Sequence, residues 1–206
     1  MSVWRPLSIG VLAIVSAACN PLLLQQPDEP LEHTYLLEWN GDEPAPSIVA
    51  SGPVLLVSPV LAAPGYDGSD MAYMRHPHEL EYFANHRWVD APARMLDPLL
   101  VRAAAQSGLF RSVVTAGSGA RVDMRLESRL MQLVQRCSLQ PSELRLVLRV
   151  TLIDVPNARI IATSTLDVSE PIGERTPLAG VEAANRALDA LLSRLQAFLA
   201  EQVGKA

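Results

Sequence analysis

Cysteine is nearly absent from this chain: Cys19 and Cys137 are the two in 206 residues, too few for a disulfide framework. Aromatic side chains make up only 5%, which leaves any core to Leu, Val, Ile and Ala. Positive charge is not in excess either. The 17 Lys and Arg stand against 22 Asp and Glu, for a net charge of -5, and that balance excludes the basic footprint of a nucleic-acid-binding protein. No apolar run reaches the roughly 20 residues that a membrane-spanning helix needs. Motifs of chemistry are missing as well: there is no Gly-x-Ser-x-Gly elbow, and Gly117-Ser118-Gly119 is too short for a phosphate loop, so it reads as a turn. What is present is 49% hydrophobic residues and 19% charged ones, enough for one ordinary core and too apolar for a disordered polyelectrolyte. One folded domain is expected.

The first residues differ from everything after them. Arg5 supplies a short positive region, Leu7 to Val15 form an apolar stretch, and Ser16-Ala17-Ala18 place small side chains before Cys19. That layout reads as an export signal over residues 1–18. Ala17-Ala18-Cys19 resembles the lipobox of bacterial lipoproteins, with Ser16 where Leu is usual, and makes Cys19 the expected lipidation site. A thioether-linked lipid there leaves Cys137 without an intramolecular partner, so Cys137 is expected to serve as a small buried hydrophobe. Asn20 follows, where Asp would signal inner-membrane retention, so the expected location is the outer membrane, lipid-anchored and facing the periplasm. Residues 19–33 carry three prolines and no periodicity and read as a flexible tether, able to reach about 45 Å if extended.

The folded part is expected over 34–203. Thr34 to Trp39 and Val54 to Val60 read as strands separated by a Pro, Gly and acid-rich loop, the second apolar enough for a central strand. Met71 to Arg75 and Glu79 to Phe83 form a pair around a turn at His76-Pro77-His78. The period then changes. Met95, Leu96, Leu99, Leu100, Ala103 and Ala104 make a helical stripe that Gly108 ends. Two starts are open: Asp90 capping a helix kinked at Pro98, or Asp97 as N-cap with Pro98 first, and the second is preferred. Phe110 to Thr115 predicts a short strand. Three long antiparallel strands follow, marked by Met124/Leu126, Leu144/Leu146/Leu148/Val150/Leu152 and Ile160/Ala162/Leu166/Val168, with a bulge near Leu130-Met131. A last helix starts at Thr176-Pro177, with a seam of Val181, Ala184, Leu188, Leu191, Leu195 and Phe198 widened by Leu178, Leu192 and Leu199. The expected fold class is α+β, a mostly antiparallel sheet with two helices on one face, in the order β-β-β-β-α-β-β-β-β-α.

Candidate chemistry is thin. His76 and His78, with Glu79, Glu81 and His86 nearby, could begin a metal site, but Pro77 favours a turn over the continuous strand that would align the imidazoles. No catalytic, cofactor-binding or metal residue is nominated.

Several ordered segments do carry a resemblance. Thr34-Tyr35-Leu36-Leu37 shortly after the lipobox, Val54 to Val60, Met71 to Arg75, Glu79 through Trp88, and Ser107-Gly108-Leu109-Phe110 after the first helix together resemble the ABC-type transport auxiliary lipoproteins, the group of paraquat-inducible protein C. The resemblance implies a non-catalytic accessory of a transporter with its own ATPase, permease and mammalian-cell-entry-type substrate-binding proteins, moving phospholipids or other hydrophobic molecules across the envelope. It also implies a possible homo-oligomer, and Cys19 is the one position it transfers. Trp88 and Tyr82 are expected to be buried packing residues rather than interface. The alternative is a lipoprotein activator or scaffold of a peptidoglycan synthase or another envelope complex; an enzyme would need a polar pocket with converging ionisable groups.

Overall fold

A computed structural model describes residues 31–41 and 52–205, so the export signal, Cys19 and most of the tether lie outside the described residues. The sheet is organised by its longest apolar alternation. Strand β7, Met124–Arg136, points Met124, Leu126, Ser128 and Leu130 to one side and keeps Glu127 and Arg129 in water, as its sequence pattern predicts. At Met131 the ladder shifts by one residue: Leu130 faces Leu148, and Gln132 faces Val147. This bulge absorbs the phase slip in the sequence, so that Leu133 and Gln135 return to the buried side. β8, Glu143–Asp154, pairs antiparallel with β7, and β9, Arg159–Pro171, pairs antiparallel with β8. These three strands are the long antiparallel set expected from the alternation.

The other edge of β7 is built differently. β2 (Val54–Val57), β3 (Leu61–Ala62) and β4 (Asp70–Met74) lie against it one after another, all parallel, at Met124–Leu126, Arg129–Leu130 and Val134–Arg136. One stretch of chain thus runs along the spine with interruptions. Pro59 has no N–H for the ladder, so β2 stops early and the two-residue β3 appears as an extra strand before the first helix. β4 turns back into β5, Glu81–Trp88, through the hairpin at His76-Pro77-His78, where His78 takes a positive φ of 68°. β5 is longer than expected, and β1, His33–Tyr35, pairs parallel to its far end. β6, Ser112–Thr115, pairs parallel to β2 and closes the opposite margin. The sheet is therefore mixed: its long ladders are antiparallel and its short ones parallel.

Both helices cover the same face. Helix α2, Pro177–Val203, starts as expected, with the Thr176 hydroxyl accepting from the Ala179 N–H at 3.2 Å and Pro177 at the first position. Its whole seam from Val181 to Phe198 is buried, and so are Leu192 and Leu199, but Leu178 is 54% exposed and does not widen it. Leu178 lies in the first turn, before the helix reaches the sheet face. Helix α1, Pro92–Gln106, corrects the preferred start. It begins six residues earlier than Pro98, after Ala91, and Pro98 sits inside it. Pro92 supplies the preset φ that opens the helix, while Asp97 spends its carboxylate elsewhere and caps nothing. Pro98 is exposed, on the side of α1 turned away from buried Leu96, Leu100 and Ala103, and the helical bond it forgoes is the one to the carbonyl of Arg94, which is exposed too. The Gln196 amide donates to the Ala103 carbonyl at 3.0 Å and ties the two helices together.

Candidate functional site

A cleft of about 1010 Å³ opens where β2 and β6 end beside α1. Its floor is Val57, Ser58, Pro59 and Thr115 at the carboxyl ends of two parallel strands; its wall is the outward side of α1, carrying Pro98, Val101 and Ala105. The segment after β1 closes the third side with Trp39 and Gly41. α1 thus has two apolar faces, one in the core and one on the cleft. Such a surface lowers the free energy when something apolar covers it, by about 25 cal/mol for each Å² removed from water.

Two charged groups mark this wall. The Arg102 guanidinium lies 4.3 Å over the Trp39 ring, and its Nη2 donates to the Trp39 carbonyl. Its Nε is buried without a hydrogen-bond partner among the described residues, and no described carboxylate forms an ion pair with it. Earlier on the same helix, the Asp97 carboxylate accepts from the Val60 N–H at 2.6 Å and so fixes the segment after β2 against α1. Burial pushes the Asp97 carboxyl above its ordinary value, against the opposing pull of that hydrogen bond and of Arg94. Gly41 belongs to the geometry too, because a Cβ there would fall 2.6 Å from the Trp39 ring.

A second cluster holds the first strand. His33 stacks on His86 at 4.9 Å, and the Tyr35 hydroxyl meets His86 Nδ1 at 3.0 Å. Burial, and then His33, keep the His86 imidazole below its ordinary pKa. Arg87 pairs with Glu32 beside them. The histidines of the β4–β5 hairpin are not brought to this cluster, and Glu81 is committed to Arg75 and to the Tyr73 hydroxyl. The Arg75 hydrogen bond draws the Glu81 carboxyl from 4.5 down to about 2. No group of three or more metal-binding side chains occurs among the described residues.

Of the residues singled out in the sequence, Trp88 is buried at 3% exposure, whereas Tyr82 is 44% exposed and donates to the Gly65 carbonyl. Tyr82 is therefore not buried packing: it lies on the outer side of β5, against a loop. Cys137 is half-buried rather than buried, and burial raises its thiol pKa. The sequence gives no sign of a shared site at Trp39, Asp97 and Arg102: Trp39 reads as a strand end and Asp97 as a helix cap. Arg102 flanks an apolar stripe at a spacing that suits any solvated helix face, and nothing local ties it to Trp39, 63 residues away.

The body is an α+β fold with a largely apolar cleft beside α1. A family model described as "ABC-type transport auxiliary lipoprotein component" matches residues 35–195, and the chain belongs to that family. Among solved structures, a DUF330-family protein from Xanthomonas campestris is similar at 21% identity with a TM-score of 0.67, covering 85% of this chain and 94% of that one. A hypothetical protein from Chlamydia trachomatis is similar at 10% identity with a TM-score of 0.52, covering 76% of this chain and 100% of its own. At these identities the likeness establishes the shared fold. No protein with a curated description matches the chain.

Proposed function

We propose that the chain is a non-catalytic periplasmic lipoprotein held at the outer membrane by lipid on Cys19. There it serves an ABC-type system with mammalian-cell-entry-type substrate-binding proteins that moves phospholipids or other hydrophobic molecules between the envelope membranes. The family match over 35–195, which takes in α1, most of α2 and every strand from the end of β1 to β9, carries this reading. Two features support the finer part. Ala17-Ala18-Cys19 places a thiol behind small residues at the end of an apolar stretch, and the cleft beside α1 offers an apolar surface of ligand size. Among the described residues no helix is long and apolar enough to cross a membrane. In this reading residues 1–18 are removed and the stretch from Cys19 links the anchor to the body, ending before 33 because His33 is already paired in β1.

Affinity purification of the membrane-extracted chain tests the partner assignment. Permease, ATPase and mammalian-cell-entry-type subunits are expected in the eluate, together with lipid. Recovery of a cell-wall synthase with none of those subunits overturns it.

A further inference from the structure

The cleft beside α1 is apolar along most of its length and cationic at one end. Pro98, Val101 and Ala105 line α1 at three- and four-residue steps, and Val57 and Pro59 face them from the strand ends. Trp39 and Arg102 stand together at the remaining corner. Arg102 is pinned there: the indole ring holds its plane, and the Trp39 carbonyl takes one of its five donors. The Nε donor goes unused, and no described carboxylate neutralises the charge. Arg102 is half-buried and lines the cleft, so the guanidinium donors left over by the Trp39 carbonyl and by the enclosed Nε are the ones that meet a ligand oxygen. Asp97, the carboxylate on the same wall, has its Oδ1 engaged by Val60. A cavity of about 1010 Å³ is at the upper end of the range for small-molecule sites and too large for one inserted side chain.

We infer that this cleft binds a single-chain anionic amphiphile, its charged head against Arg102 and Trp39 and its chain along the Pro98–Ala105 side of α1. The charge selects the head. A neutral lipid would bury the same apolar area but leave the guanidinium without an anion, and an anion without a chain would leave the apolar wall wet. The planar fork of Arg suits a carboxylate or a phosphate equally, so the site is specific for charge and shape rather than for one head group. The inference rests on the proposed function only for the use made of the bound molecule; the binding itself belongs to the body.

The test uses the full chain, reconstituted in phosphatidylcholine nanodiscs and exposed to a photoactivatable diazirine analogue of palmitate or of a neutral monoacylglycerol, with labelled peptides mapped by mass spectrometry. The palmitate analogue is expected to label residues 98–105 and the end of β2, and the neutral analogue to label them much less. Arg102→Gln should raise the concentration needed for half-maximal palmitate labelling by about tenfold, while Arg102→Lys keeps most of it. Val101→Glu, which puts a negative charge on the same wall, should abolish palmitate labelling by a route independent of Arg102. Circular dichroism and the unfolding midpoint of each variant report its folding. Label outside the cleft, equal labelling by the neutral analogue, or folded Arg102→Gln and Val101→Glu variants that label like the parent overturn the inference. Labelling of the cleft with no transporter subunit in the eluate keeps this inference and sinks the transporter role.

Discussion

Gly180 in α2 lies directly over Gln135 of β7, and the glycine is what lets helix and strand come that close. A Cβ on Gly180 would fall 1.8 Å from Gln135 Nε2 and 2.1 Å from its Cδ, and Gln135 is only 2% exposed, so its amide has little room to move. Two effects oppose each other in Gly180→Ala. Ala improves helix propensity by about 1 kcal/mol, and overpacking a closed interface costs about 1–3 kcal/mol. The clash is with a buried amide rather than a free chain end, so packing should win: a net loss of up to about 2 kcal/mol is expected in urea unfolding. The pair also predicts its own cure. In the Gly180→Ala background, Gln135→Ala should recover part of the loss, so the two changes together cost less than their sum. A Gly180→Ala variant as stable as the parent would show that α2 can lift off the sheet there at no cost.

At the scale of elements, what could be read in advance followed from strong, local patterns. β7, β8 and β9 announce themselves by alternation, their bulge by the slip at Leu130-Met131, and α2 by Thr176-Pro177 and its seam. Leu166 and Val168 are buried while Thr165 and Asp167 are not, which is the period-two rule at work. What could not be read depended on distant partners. The choice between two helix starts turned on where Asp97 sends its carboxylate, and that acceptor serves Val60, 37 residues away. The shortness of β1 is of the same kind, since its three residues pair with the far end of β5 and no local pattern fixes where that pairing stops. β1 is also the element most open to pH. His86 sits below its ordinary pKa through burial first and His33 second, with Glu32 and Arg87 paired beside them. A depressed pKa means the folded state binds the proton less readily than the unfolded chain. The contribution to docking is therefore full above the ordinary histidine value and is lost as pH falls through the lowered one. Protonated Nδ1 also cannot accept from the Tyr35 hydroxyl. Hydrogen-exchange protection of the Val89 amide, which donates to the Tyr35 carbonyl, should drop between about pH 7.5 and about pH 5 while β8 amides stay protected. His86→Phe should make that protection independent of pH over the same range. Equal protection of Val89 at both pH values in the parent would count against the stacked imidazoles as the source.

For the whole molecule, the proposed anchor and the folded body fall in separate stretches of sequence, and the cleft is announced by neither. The core from Leu37 to Leu199 closes on itself within residues 31–205, with Leu55, Leu126, Leu148, Leu188 and Leu195 all at 0% exposure. The cleft escaped notice because its walls come from four separate stretches, around Trp39, Val57, Val101 and Thr115, none distinctive alone. The lipidation proposed for Cys19 rests on a local pattern of the kind that signal peptidases and lipid transfer read, with no folded structure needed. If anchoring and folding are indeed carried by different parts, they should separate on mutation. Cys19→Ala is expected to abolish metabolic labelling by radioactive palmitate and to release or mislocalise the protein. Its thermal unfolding midpoint and its labelling by the palmitate photoprobe should match the parent, since no described core residue changes. Arg102→Gln predicts the converse, an anchored protein with a weakened cleft. A Cys19→Ala protein that still takes up palmitate at the same level would place the anchor elsewhere, and one that loses its unfolding midpoint would show that the anchored segment helps to hold the body together.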